Sequence, residues 1–156
     1  MSVDFHLMYE NTSDAVVLMR DGRVVGANPA ALAMFECDDP ADMLGQELAD
    51  FSPLQQAEGA LSAPLLREQA ARAHGDGNHR FEWCCVGRRS RRFWAEILMT
   101  AVAHEDGALL YTAIRDISAR RNEQMTMYLA LMNDLADRRR TAVSYTHLTL
   151  PTNREV

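Results

Sequence analysis

Short apolar runs alternate with polar clusters along the first half of this 156-residue chain. Residues 15–19 are apolar and mostly β-branched or small, a composition that favours a buried strand. Asp21 and Gly22 follow, a pair typical of two-residue hairpin turns, and residues 23–27 form the returning strand. The pattern therefore predicts a hairpin, preceded by a short amphipathic helix at residues 5–9.

The next part of the chain predicts helices. Asn28 and Pro29 suit the cap and the first position of a helix that continues in small and apolar residues. Asp39 and Pro40 begin a second, short helical piece. A longer helix is predicted to begin at Ser62 and to close at a glycine-rich stretch.

Three strand candidates follow, at residues 79–86, 91–102 and 108–115. The middle strand has one largely apolar face, which carries Phe93, Ala95, Ile97 and Met99, and one mixed face. This alternation is typical of an antiparallel sheet with one covered face. Two strands, helices and three strands in this order predict a mixed α+β fold with a five-stranded antiparallel sheet. Because the helices must cross one face, a cavity between helices and sheet is the expected place for a ligand.

A long helix is predicted at residues 117–140, which contain no glycine or proline. Its apolar residues recur at intervals of three, four and three, a two-heptad seam. The seam positions are Met125, Tyr128, Met132 and Leu135. A single helix cannot bury this stripe, so the helix docks on the domain or pairs with a second copy, and we expect a homodimer.

Residues 141–156 have neither helical periodicity nor a hairpin partner, and they resemble a translated cloning or sequencing adapter. We interpret them as a non-native or disordered tail and expect the natural protein to continue beyond Arg140. The expected division is a cap helix at 1–12, a core at 13–116, a transmitting helix at 117–140 and the tail.

Composition narrows the partners and the compartment. The net charge of −6 argues against nucleic acid or an anionic membrane as a partner. The basic stretch at residues 88–92 is interpreted as a solvated hairpin tip, and no run approaches the ~20 apolar residues that span a bilayer. Cys37, Cys84 and Cys85 lack zinc-site spacing, which indicates reduced thiols in the cytoplasm.

Several stretches, taken in order, are typical of one family. They are residues 9–16, the hairpin leading to Asn28-Pro29-Ala30-Ala31, and the closing Arg115-Asp116-Ile117-Ser118. Together they resemble a PAS domain of a bacterial signalling protein, over about residues 8–121. Residues 51–59 and 81–83 are similar to a PAS subgroup that precedes histidine kinase and diguanylate cyclase modules.

The resemblance implies a sensory module without catalytic residues. It would sense a small ligand or a partner and pass the signal through its exit helix to an output domain of a two-component or cyclic di-GMP pathway, which this chain lacks. The alternative is a ligand-free PAS domain that acts only as a dimerisation adaptor.

A ligand in the cavity is expected to meet a group of large apolar and aromatic side chains. These candidate walls are Phe35, Phe81, Trp83, Met99 and Tyr111. Trp83 and Trp94 lie on adjacent strands and could both approach the cavity, although core packing is the interpretation that we favour for them.

The start of the exit helix is the expected signal junction. Asp116 closes the last strand and Arg120 follows one helical turn later, a spacing at which carboxylate and guanidinium can pair. In PAS domains this junction is similarly where the signal leaves the sensor. The alternative is that Asp116 simply caps the helix and complements its dipole.

The identity of any cofactor is left open. Heme binding through a histidine is not expected, because His74 and His79 lie at a helix end and a strand start. Cys37 lacks the motif of a flavin photosensor, so a covalent flavin is not expected either. No phosphate loop, nucleophile elbow or metal-binding motif occurs, so neither catalysis nor a metal site is predicted.

Overall fold

A five-stranded antiparallel sheet forms the centre of the computed structural model, as the sequence predicts. The structure describes the backbone of residues 5–154 and the side chains of residues 6–139. The strands are β1 (Ala15–Arg20), β2 (Arg23–Ala27), β3 (Asn78–Val86), β4 (Arg92–Val102) and β5 (Leu109–Asp116). Their order across the sheet is β2-β1-β5-β4-β3, so the first hairpin pairs with the last strand.

The predicted hairpin turn between β1 and β2 is confirmed. Arg20 pairs with Arg23, which leaves a loop of only Asp21 and Gly22. Their φ angles of 50° and 79° are both left-handed, as a type I′ turn requires.

The helices connect the two edges of the sheet across one face, called here the inner face. They are α2 (Pro29–Met34), the single 3₁₀ turns Pro40–Asp42 and Leu48–Phe51, and α3 (Ser62–Asp76). The predicted cap of the first turn is present, because Asp39 accepts a 2.8 Å hydrogen bond from the backbone of Ala41. The predicted N-terminal cap helix corresponds to α1, which spans Phe5–Asn11. Residues 1–4 of the predicted segment lie outside the described residues.

Side chains of β4 show why the sheet has two different faces. Four inner-face residues are almost fully buried: Phe93, Ala95, Ile97 and Met99. Their outer-face neighbours are half-buried: Trp94, Glu96, Leu98 and Thr100. The predicted alternation is therefore confirmed, and the main core lies between the inner face and the helices.

Asn28 lies at the centre of the N-terminal half of the fold, and its side chain is fully buried. Its Oδ1 accepts hydrogen bonds from the backbone amides of Val16 and Ala31, both at 2.9 Å. Its Nδ2 donates to the carbonyl oxygens of Tyr9 at 3.0 Å and Asp14 at 2.8 Å. All four hydrogen-bonding positions of the amide are thus used, and one side chain joins α1, β1 and α2.

The last helix, α4, spans Ser118–Arg154, so it begins as predicted and extends beyond the expected end at Arg140. No glycine or proline interrupts residues 141–150, and helical backbone bonding therefore continues. A helical backbone does not reveal where the residues after Arg140 come from, so their interpretation as non-native stays a prediction. None of the helices in the described part of the chain is long and apolar enough to cross a membrane.

Replacement of Asn28 tests the role of this amide. We expect Asn28→Ala to lower the free energy of unfolding by roughly 2–4 kcal/mol, because buried backbone groups at both ends of the β1–α2 connection lose their partners. Urea denaturation followed by circular dichroism measures the change. Asn11→Ala is the matched control, since Asn11 is exposed and makes one 2.8 Å bond to Leu7 within its own helix.

The control is expected to stay within about 0.5 kcal/mol of the original protein. Equal losses for the two variants would contradict a special role for Asn28.

Candidate ligand cavity and signal junction

A small cavity lies between α3, the second 3₁₀ turn and the inner face of the sheet. Its volume is about 60 Å³, enough for about two water molecules at ~30 Å³ each. Apolar groups form most of its wall, including Met19, Leu48, Leu66, Ala70 and Met99. The cavity itself holds only a few non-hydrogen atoms, and it borders a wider open cleft of about 460 Å³ that shares Met19, Glu47, Arg67 and Ala70 with it.

The predicted walls Phe35, Phe81, Trp83 and Met99 all belong to the inner layer. Met99 lines the cavity directly. Phe35 is fully buried, and its ring centroid lies 5.4 Å from that of Phe51 and 5.5 Å from that of Phe93. Aromatic packing thus fills much of the space between helices and sheet.

Trp83 and Phe81 form an edge-to-face pair with ring centroids 5.7 Å apart. The indole Nε1 of Trp83 donates a 2.8 Å hydrogen bond to the hydroxyl of Ser52, just after the second 3₁₀ turn. The buried indole is therefore satisfied by the loop that follows this turn, and it ties that loop to β3.

Tyr111 and Trp94 lie on the outer face, away from the four residues above. In β5 the buried positions are Leu110, Thr112 and Ile114, so Tyr111 between them points to the opposite side. Trp94 pairs with Cys84 across the β3–β4 ladder, again on the outer face. Of the five predicted walls, Met99 alone lines the cavity: Phe35, Phe81 and Trp83 pack elsewhere in the inner layer, and Tyr111 lies on the outer face.

Thr112 is a polar residue on the inner face that the sequence analysis did not single out. It is fully buried in the middle of β5, between Val17 and Met99 on the neighbouring strands. Its hydroxyl has no hydrogen-bond partner among the described residues. Such a group costs free energy when it is buried alone, and its neighbour Met99 forms part of the cavity wall.

A loop closes the β3 edge of this layer. The side-chain amide of Gln56 accepts a 2.9 Å hydrogen bond from the backbone N–H of Cys84 and donates to the carbonyl oxygen of the same residue at 3.2 Å. It also donates to the Ser62 hydroxyl at 3.0 Å. Gln56 thus pairs with the edge strand as a further strand would, and it holds the loop over the helical layer.

The histidines and cysteines considered above for heme or flavin binding lie in α3, in β3 and just after α2. His74 is exposed at the end of α3, and His79 contacts Gln69 of that helix. All three cysteines are free thiols, and burial raises the pKa of both Cys37 and Cys85. Within the part of the chain that the structure describes, no cluster of histidine, cysteine or carboxylate groups suits a metal ion.

Asp116, one of the two residues of the predicted signal junction, is the last residue of β5. Asp116 accepts a 2.9 Å hydrogen bond from the backbone N–H of Ser118, which caps the first turn of α4. The backbone N–H of Trp94 donates to the Ser118 hydroxyl at 3.0 Å, and the N–H of Ile117 donates to the Trp94 carbonyl oxygen at 2.8 Å. The first residue of α4 is therefore anchored to β4.

Asp116 also forms an ion pair with Arg91, with 2.7 Å between Oδ2 and Nη2. Partial burial favours the neutral acid, but hydrogen bonds from Ser118 and the Arg91 guanidinium outweigh it and lower the pKa of Asp116 below its ordinary value of 3.8. Because this pKa is lowered on folding, the contact stabilises the fold at neutral pH and is lost only as the pH falls below 3.8. The expected pairing of Asp116 with Arg120 stays a prediction.

The arginines at the β3–β4 turn lie exposed at the tip of a hairpin, as the sequence predicts, and they form ion pairs at its surface. Arg88 pairs with Asp42, and Arg89 binds both carboxylate oxygens of Asp38 at 2.9 and 3.0 Å. The acidic loop that follows α2 supplies these partners, which no local sequence pattern could show.

The predicted seam of α4 is exposed along its length in the single chain. Met125 and Tyr128 are each 57% exposed, Met132 is 45% exposed and Leu135 is 44% exposed. The neighbouring Arg138 pairs with Asp134 at 3.1 Å, one turn away on the same helix. The helix therefore presents an apolar stripe to solvent.

Comparison with known proteins agrees with this geometry. A family model described as a PAS domain matches residues 13–119. The PAS domain of a two-component sensor histidine kinase has a TM-score of 0.58 at 16% identity, over 71% of this chain and 91% of that one. That of nitrogen regulation protein NR(II) from Vibrio parahaemolyticus has a TM-score of 0.59 at 16% identity, over 74% and 100%.

A third similar structure is the PAS domain, in complex with ethanol, of a LuxR-family transcriptional regulator from Burkholderia thailandensis. Its TM-score is 0.57 at 19% identity, over 74% of this chain and 99% of that one. No curated protein matches this chain. The family match covers most of the sequence, and the chain therefore belongs to the PAS domain family, the sensory modules of signal-transduction proteins.

Proposed function

We propose that this PAS domain senses a small, mainly apolar molecule that carries one hydrogen-bonding group. The proposal rests on one observation above all: an apolar cavity of about 60 Å³ whose wall includes Met99, the cross-strand neighbour of the buried Thr112 hydroxyl. The signal would leave through the Asp116 junction and α4 to an output domain of the histidine kinase or diguanylate cyclase type.

The cavity's size and surroundings support a short alcohol or a molecule of similar shape. Apolar contacts with Met19, Leu66 and Met99 favour a hydrocarbon portion. The Thr112 hydroxyl offers a donor and an acceptor; it lies beside the cavity wall rather than in it, so a bound hydroxyl would satisfy this otherwise unpartnered group by reaching past Met99. Ethanol in the Burkholderia PAS domain is a ligand of this size and chemistry.

The packing of the inner layer does not suit a heme or a flavin. Phe35, Trp83 and Met99 are each at most 1% exposed and lie where a large planar group would have to enter. A cofactor of that size would displace several of these side chains, at a cost of several kcal/mol for the lost packing.

A ligand-free adaptor is the second candidate function. Ordinary ligand pockets have volumes of ~300–1,000 Å³, so a cavity of about 60 Å³ is small for a sensor. In the adaptor the cavity would be a packing defect, and the domain would contribute only a dimerisation surface.

Ligand binding distinguishes these two functions. We expect native mass spectrometry of the purified chain to show a bound small molecule, and ethanol added to apo protein to shift the Met99 and Thr112 amides in ¹H–¹⁵N NMR spectra. Thr112→Val keeps the shape and removes the hydroxyl, so we expect ethanol to bind it roughly tenfold more weakly. Ala33→Ser, at an exposed position on α2, is the control with unchanged binding.

An empty protein with no amide shifts in ethanol would exclude the sensory proposal in this form and favour the adaptor. Equal binding by the original protein and Thr112→Val would exclude the hydroxyl as the recognition group.

We further propose that α4 joins two copies of the chain through its seam, in the cytoplasm. The exposed Met125, Tyr128, Met132 and Leu135 fit the a and d positions of a two-stranded coiled coil. Pairing would remove these side chains from water, which a lone helix cannot do. The free thiols agree with a reducing compartment.

Charges in the seam test the pairing. We expect Met132→Asp combined with Leu135→Asp to weaken self-association roughly tenfold or more in analytical ultracentrifugation, because two carboxylates per helix would become buried. Met127→Asp is the control, since Met127 is 73% exposed on the same helix and outside the seam. An unchanged dimer in the double variant would contradict the coiled coil.

A further inference from the structure

The turn at residues 87–91, between β3 and β4, contacts both the helical layer and the signal junction. The backbone N–H of Arg88 donates to the carbonyl oxygen of Phe35 at 2.8 Å. The N–H of Arg91 donates to Glu36 Oε1 at 3.3 Å, while the Arg91 guanidinium binds Asp116 at 2.7 Å. One residue thus connects the end of α2 with the start of α4.

A second route joins the same two places through aromatic rings. Phe35 packs against Phe93 with ring centroids 5.5 Å apart, and the Arg91 guanidinium lies 5.0 Å from the centroid of the Phe93 ring. A cation at this distance is attracted to the ring face. Arg91 is therefore contacted twice from the inner layer: its backbone N–H by Glu36 and its guanidinium by the Phe93 ring.

Glu36 is held in an unusual backbone conformation at this point. Its φ of 60° is left-handed, which is costly for a residue with a side chain. Its carboxylate lies against Gly87, so a side chain at position 87 would require the flexible end of Glu36 to move. Glu36, which follows the end of α2, is therefore packed against the turn.

We propose that Arg91 is a positioning residue that couples the packing around Phe35 to the state of the Asp116–Ser118 junction. The inference rests on the proposed sensory function and specifies the path of the signal. A change in the inner layer displaces Glu36 and Phe93, Arg91 moves with them, and the ion pair between Arg91 and Asp116 changes. The change at Asp116 alters the hydrogen bonds of Ser118, and the first turn of α4 changes with them.

The neighbouring arginines provide matched controls. Arg89 pairs with Asp38, whose backbone N–H donates to Asp42 rather than to a residue of the junction. The Arg92 side chain is exposed and forms no hydrogen bond or ion pair among the described residues, while its backbone pairs with Val86 in the β3–β4 ladder. Both carry the same charge as Arg91 and lie within three residues of it.

A double-mutant experiment measures the coupling in the full chain without any ligand. Glu36→Ala removes the acceptor at the end of α2, and the ¹⁵N amide shifts of Ile117 and Ser118 report the junction. We expect Glu36→Ala to shift both amides, and the shift to shrink roughly threefold or more in an Arg91→Gln background. In Arg89→Gln and Arg92→Gln backgrounds we expect the full shift.

The carboxyl of Asp116 gives a second readout by ¹³C NMR. We expect Arg91→Gln to raise the pKa of Asp116, because the guanidinium that favours the charged form is gone. Arg91→Lys keeps the charge and is expected to restore most of the lowering, which also shows that the position tolerates substitution. Circular dichroism confirms that each variant is folded.

An undiminished Glu36→Ala effect in the Arg91→Gln background would overturn the proposal, and so would the absence of any effect of Glu36→Ala at Ser118. Either result would leave Arg91 as a surface ion pair only. Failure of ligand binding is a separate outcome, because this experiment contains no ligand.

Discussion

The buried amide of Asn28 is the interaction on which the rest of the structure depends. Its four hydrogen bonds satisfy backbone groups of Tyr9 in α1, of Asp14 and Val16 at the start of β1, and of Ala31 in α2. The chain can leave the sheet after β2 and turn onto its inner face only because those groups have partners. Everything that follows along the chain, from Phe35 to the cavity, is positioned by that crossing.

Most of the fold follows from local patterns in the sequence. Asp21 and Gly22 adopt the left-handed angles that their pairing predicts, and Asn28 and Asp39 cap helices as their spacing to proline suggests. These features depend on neighbouring residues alone, so the sequence contains them. The sequence pattern does not predict the extra length of α4, because periodicity is weak after Arg140, although no glycine or proline interrupts residues 141–150.

The site was predictable only in part. Alternation along β4 and β5 could have placed Tyr111 on the outer face and Thr112 on the inner one, since Leu110 and Ile114 flank them. The pairing of Arg91 with Asp116 joins residues 25 positions apart across a turn, and no local rule gives such a partner. The connection between the inner layer and the Asp116 junction depends on tertiary contacts of this kind.

The function that we propose is that of a sensory domain whose core is coupled to its exit helix through Arg91 and Asp116. The inner layer contains a cavity of about 60 Å³, and Ser118, the first residue of α4, is hydrogen-bonded to β4. Hydrogen exchange at the amides of Ile117 and Ser118, with and without saturating ethanol, tests this most directly. We expect their exchange rates to change together with those of Met99 and Thr112. A change confined to the interior, with the junction unaffected, would contradict the account.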